Sequence, residues 1–201
     1  MSELPTVYIE REPLLNMILA AVEMYNRECL GYLFGYSSGK PTKSFVITSA
    51  VQLAAVVHRS SCGLHQSKRA CKRLGGFIDK ASRLFPYLAD FHSHPHPKMW
   101  PGLFGLSEDD RKSMHDEDKF CVIIALSPRG KRLLEWAMRD EGTRLRGSLG
   151  HFDVHFTAHW VVRDEEGKPV KDEQGIQQTE RLPLQVAKTT LRALNRANKK
   201  S

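Results

Sequence analysis

The chain has 201 residues, 41% hydrophobic and 26% charged, with a formal charge of +7. That is the balance of one globular domain with room for a real core. It excludes two classes: the longest apolar runs, "FCVIIAL" and "ECLGYLFG", fall far short of the ~20 residues a membrane helix needs, and Cys29, Cys62, Cys71 and Cys121 are too sparse for a disulfide scaffold.

"MSELPTVYIEREP" carries no basic region followed by an apolar one, so no export signal is read and a cytoplasmic protein is expected. Next, Leu14, Leu15, Ile18, Ala21, Val22 and Tyr25 recur at helical spacing. "ECLGYLFGY" and "SFVITSAVQLAAV" are rich in β-branched and aromatic residues, with Gly-Lys-Pro between them, and read as two strands joined by a turn. Residues 58–76 read as a basic loop ending in Gly75-Gly76. No acidic residue lies between Glu28 and Asp79, whereas Lys40, Lys43, Arg59, Lys68, Arg69, Lys72 and Arg73 do. Such asymmetry suits an acidic protein partner or nucleic acid, or simply solubilises a surface. No base-stacking aromatic motif accompanies the lysines, so nucleic acid is not the expected partner.

Phe77, Ile78, Ala81, Leu84, Phe85 and Leu88 predict a second helix, interrupted near Pro86. "LADFHSH" reads as a strand running into Pro95, Ser107 as the opening of a third helix, and "KFCVIIAL" as a central, fully buried strand. "RLLEWAMR" and "HFDVHFTAHWVV" continue the sheet, and "RDEEGKPVKDEQGIQQTE" reads as a hairpin or mobile loop. A basic amphipathic helix, with Leu184, Ala187, Leu191 and Leu194 on one side, closes the chain. No internal repeat is read. The expectation is one mixed α/β sheet domain flanked by helices over residues 1–162, with a polar loop and basic helical extension over 163–201.

The chemistry concentrates in "FHSHPHPKMWPGLFGLSEDD". On a strand, side chains two apart share a face about 7 Å apart at the backbone, so His92 and His94 can converge on one ion. A helix opened by Ser107 presents Asp110 one turn along. Two imidazoles and one carboxylate leave the fourth position of a tetrahedral zinc open to water. Ser107 with Asp110 is also the spacing of an ordinary N-cap with an acidic first turn.

Taken together, Glu28 ahead of "CLGYLFG", then His92-Ser93-His94-Pro95, then Ser107-Glu108-Asp109-Asp110 resemble the JAMM (MPN-plus) metalloprotease family over roughly residues 5–140. The loop of residues 96–106 is longer than usual there, which bears on substrate entry. The resemblance implies an MPN, cytidine-deaminase-like fold, with Zn²⁺ held by His92, His94 and Asp110. It implies Glu28 as general base and acid, and Ser107 as hydrogen-bond donor to the oxyanion. It also implies cleavage after the C-terminal glycine tail of a ubiquitin-like or sulfur-carrier protein. The alternative is an inactive MPN scaffold within a larger complex. In the 96–106 loop, Trp100 and Phe104 are expected to cover substrate as a lid.

Other residues are set aside. His96 as a fourth ligand would close the site. His58, Cys62, His65 and Cys71 match no common zinc framework. His151, His155 and His159 are too far apart on a strand to share an ion and read as a solvated face. Cys29 is expected to point into the core. A zinc nucleobase deaminase would need P-C-x-x-C, which is missing.

Overall fold

The computed structural model describes residues 4–38, 44–54, 56–59, 64–81, 84, 86–99, 101–114 and 120–198. After strand β1 (Thr6–Ile9), helix α1 (Arg11–Glu23) buries Pro13, Leu14, Met17, Ile18, Ala20 and Ala21; of the predicted stripe, Leu14, Ile18 and Ala21 are fully buried, while Leu15, Val22 and Tyr25 pack partly buried at its edge. Asn26 turns the chain out of the helix with φ of 78°, a left-handed conformation that Asn adopts at less cost than most residues. Strands β2 (Leu30–Ser38) and β3 (Ser44–Gln52) pair antiparallel as expected.

The next region departs from expectation. Strands β4 (Val56–Arg59) and β5 (Leu64–Gln66) form a small separate hairpin. Helix α2 (Lys68–Ala81) begins well before Phe77 and runs through Gly75-Gly76. The spacing of Ala70, Leu74 and Ile78 carries the helix across two glycines, each costing only about 1 kcal/mol. Phe77 is 62% exposed and Leu84 79%, so they form no buried helix face, and the chain is already a strand from Tyr87.

Strand β6 (Tyr87–Pro95) lies between β2, antiparallel, and β7 (Cys121–Pro128), parallel. A 3-10 turn (Pro101–Phe104) and helix α3 (Glu108–Ser113) connect them. After β7 come β8 (Ala137–Arg139), β9 (Arg144–Leu149) and β10 (Phe152–Val161). β7 is central and buried over all but its last residue.

Residues 163–201, expected as an appended loop and helix, add strands to the same sheet. β11 (Thr179–Leu182) pairs with β10, and β12 (Leu184–Val186) lies parallel to β1. Leu184 is therefore a strand residue, and the final helix α4 starts later (Lys188–Asn198). The polar segment is two copies of one turn. Asp164 and Asp172 each accept two backbone N–H groups through Oδ1, and Gly167 and Gly175 follow with φ of 81° and 78°. It is a short repeat of Asp-Glu-x-Gly. The ten-stranded sheet runs β12-β1-β3-β2-β6-β7-β10-β9-β8, with β11 beside β10.

Strand alternation divides this sheet into two faces. Phe91, Val122, Ile124, Val154, Phe156 and Ala158 join α1 and Leu194 in the main core. Their neighbours Cys121, Ile123 and Ala125 face the other way, against Met114 and Leu103. No helix among the described residues is long and apolar enough to cross a membrane.

The β2–β6 seam depends on Gly31, paired with Phe91. A Cβ there would overlap the Phe91 ring and come within 2.5 Å of the Val51 carbonyl oxygen. Gly31→Ala is therefore expected to cost about 1–3 kcal/mol, as overpacking does, lowering Tm by roughly 3–10 °C in a thermal melt.

Candidate metal centre

β6 and α3 meet at the face opposite α1. With Phe91 in the main core, its alternating neighbours His92 and His94 emerge on the other side. Helix α3 delivers Asp110 to them. His92 Nε2 lies 3.1 Å from His94 Nε2 and 3.3 Å from Asp110 Oδ1, and His94 Nε2 lies 3.4 Å from Asp110 Oδ2. Nitrogen and oxygen ligands about 2.0–2.1 Å from a tetrahedral zinc stand about 3.3 Å from one another. The three side chains fit that spacing, and they are the group among the described residues able to hold a metal ion.

The surrounding bonds orient these atoms. His94 Nδ1–H donates to the Leu103 carbonyl at 3.2 Å, which leaves Nε2 as the lone-pair nitrogen. His92 Nδ1 faces Cys121 Sγ at 3.6 Å. Ser107 caps α3 in a capping box. Its Oγ accepts from Asp110 N–H at 3.1 Å, and its N–H and hydroxyl both donate to Asp110 Oδ2 at 2.7 Å. Oδ1 stays outside the cap.

The field at the site favours a cation. Burial opposes ionisation of Asp110, but hydrogen bonds to His92, His94 and Ser107 outweigh it and hold the carboxyl well below the usual range. Burial likewise opposes charge on His92, yet Asp110, Asp90 and Glu28 raise its pKa. Imidazole lone pairs this close to each other and to a carboxylate repel unless a proton or metal stands between them.

Glu28 stands beside this cluster. Burial raises its pKa, partly offset by His92 and His94 and reinforced by Asp110. Its position is set by a residue the sequence reading passed over. Ser93, fully buried between the two histidines in sequence, accepts the Cys29 N–H on its Oγ at 2.9 Å, while its own N–H donates to the Cys29 carbonyl at 3.1 Å. A serine flanked by two ligands on a strand has to face the opposite side, which is the signal that could have identified it. Cys29 is buried in the core, as expected.

No family model matches the chain, and no curated protein matches it. Its fold does have a solved counterpart. The solution structure of protein DSY2949 from Desulfitobacterium hafniense aligns with a TM-score of 0.50 over 90% of this chain and 92% of that one, at 14% identity. At that identity the likeness concerns the fold alone, and the site stands on its own geometry.

Several expectations change here. Phe104 is only 8% exposed, stacked on His155 at 4.6 Å with the Arg144 guanidinium 4.4 Å from its ring centre, so it is an anchor rather than an open substrate contact. Trp100 lies outside the described residues. His96 turns to its own loop, accepting the Lys98 N–H on Nδ1 at 3.1 Å, and is not part of the ligand cluster. His155 and His159 do not form a solvated face: they are 5% and 4% exposed because the 101–106 segment covers them, while His151 sits in an exposed turn. Cys62 lies outside the described residues, as do the side chains of His58, His65 and Cys71, and with them the second-metal reading.

Two measurements follow from these contacts. Ser107→Ala should cost about 1 kcal/mol through the lost cap and, for an ion held by His92, His94 and Asp110, lower its affinity about 10–100-fold through the lost bond to Asp110. Chelator competition reads the second effect, and a lower Tm with unchanged affinity would show that the bond from Ser107 does not tune the hold of Asp110 on an ion. Burial, then Arg144 and Arg146, depress the His155 pKa to about 4 from an ordinary 6.5. Between those values the unfolded chain holds the extra proton, so the stability His155 contributes is complete above pH ~6.5 and declines towards pH ~4. The Tm advantage of wild type over His155→Gln should shrink as pH falls through that window.

Proposed function

We propose that the chain is a zinc-dependent peptidase or isopeptidase of the JAMM type, cutting after the glycine tail of a ubiquitin-like or sulfur-carrier protein. The observation that carries this reading is the convergence of His92, His94 and Asp110 within 3.1–3.4 Å, with Glu28 electrostatically coupled to all three. The family resemblance supplies the reaction class. A mixed sheet with a helix-covered face and a ligand-bearing face is consistent with the MPN-like fold the resemblance implies.

His92, His94 and Asp110 would hold the ion. When bound, zinc supplies Lewis acidity, polarising the scissile carbonyl and lowering the pKa of water to about 7. The remaining work falls to the chain. The Glu28 carboxylate takes a proton from the attacking water and returns it to the leaving amine, and its upward-shifted pKa brings it closer to neutrality, where such transfer is efficient. Ser107 Oγ–H, which donates to Asp110 Oδ2 at 2.7 Å, has to rotate to serve the oxyanion. Its capping and catalytic duties are alternatives at one atom. The basic run from Cys29 to Ile78 suits an acidic face on the body of the substrate protein.

The test combines metal analysis with cleavage. Wild type should hold one zinc per chain, and His92→Ala and Asp110→Ala should lose it. Glu28→Gln should keep the metal and lose turnover by about 10²–10⁴ on a Gly-Gly-tailed fusion or isopeptide conjugate. Equal zinc in all variants would remove the ligand assignment. Zinc without cleavage of any ubiquitin-like or sulfur-carrier conjugate would favour the interaction-module alternative.

A further inference from the structure

Thr157 and His159 lie on the odd-numbered face of β10, 1% and 4% exposed. Polar groups buried this deeply need partners, and both find the same one. Thr157 Oγ1–H donates to the Phe104 carbonyl at 2.7 Å and His159 Nε2–H donates to it at 3.0 Å, with the two side chains themselves 3.0 Å apart. A single backbone oxygen thus receives two buried hydrogen bonds, while its own ring lies against His155 and Arg144.

The place of that oxygen in the chain gives the arrangement its meaning. One residue earlier, the Leu103 carbonyl holds His94 Nδ1 at 3.2 Å. Three residues later, Ser107 caps the helix that carries Asp110. Phe104 is the fixed point between the two elements that bring metal ligands. We infer that Thr157 and His159 are positioning residues for the metal site, acting through the Phe104 carbonyl to set His94 and Asp110 together. Metal–ligand distances are tolerated within about 0.2 Å, so a turn displaced by even half an ångström is felt at the ion. The segment after Trp100 is, on this view, a strut and not a lid. The inference rests on the proposed metal reading.

Thr157→Val removes one donor at constant shape, and His159→Leu removes the other while filling its space. Zinc affinity by chelator competition should fall about 10–100-fold in each, the scale of lost outer hydrogen bonds to a ligand, and the visible spectrum of the Co²⁺-substituted protein should change. His159→Gln keeps an N–H donor and should recover affinity to within a few-fold of wild type. Leu194→Ala, in the core on the opposite face, should lower Tm without altering affinity, which separates positioning from general destabilisation. Two independent residues keep the test decisive if one variant fails to fold. Affinity within twofold of wild type in the folded donor-deleting variants, or an equal loss in Leu194→Ala, would overturn the inference while leaving the zinc reading intact. Wild type that binds no zinc would overturn both.

Discussion

Two imidazole nitrogens and a carboxylate do not gather at 3.1–3.4 Å without structure holding them there. Their lone pairs repel, and each group would be better solvated apart. The constraint that overcomes this is the period-two geometry of β6. The strand is gripped on both edges, by β2 and β7, so its side chains can face only up or down. Phe91 going into the core obliges His92 and His94 to come out on the other side. The carboxylate is brought by a separate device, a helix of six residues whose first turn is fixed by its own capping box. Such a helix has little cooperative stability alone. It is held from outside as well, by the Arg111–Asp172 pair at 3.7 Å and by Gln177 Nε2 donating to the Met114 carbonyl at 3.2 Å. The second Asp-Glu-x-Gly turn therefore braces the element that carries Asp110.

What could be read from the sequence follows from how local each signal is. The α1 stripe, the β2–β3 pair and buried β7 are each written in contiguous periodicity, and the structure places them accordingly. His92, His94 and Asp110 were legible because strand spacing and helix capping are also local rules. Two of the failures have one long-range cause. β1 and β12 are four and three residues long and exist because each completes the other's ladder across the length of the chain. Leu184 and Ala187 match a helical pattern, yet strand pairing with β1 claims Leu184. Gly75-Gly76 reads as a break, but the apolar spacing on either side continues through it.

The histidines of β10 show the same limit inside the site. An alternating His/Thr/His face looks solvated when nothing in the sequence says what lies over it. The cover is the 3-10 turn of residues 101–104, over 50 residues away in the chain, and no period can announce so distant a backbone cover. Once it is in place, burial pushes the pKa of His155 and of His159 down to about 4, so both are neutral hydrogen-bonding groups at physiological pH and not surface cations.

The two faces of the sheet then divide the labour. On the α1 side, apolar packing and the Ser93–Cys29 backbone clamp fix where β2 begins and hence where Glu28 stands. On the other side, Thr157 and His159 donate to the Phe104 carbonyl and His94 donates to the Leu103 carbonyl, which ties the 101–104 turn to β10 and to β6. Burial raises the Glu28 pKa while the two histidines draw it back, so this carboxylate shares the electrostatic field of the His92–His94–Asp110 cluster.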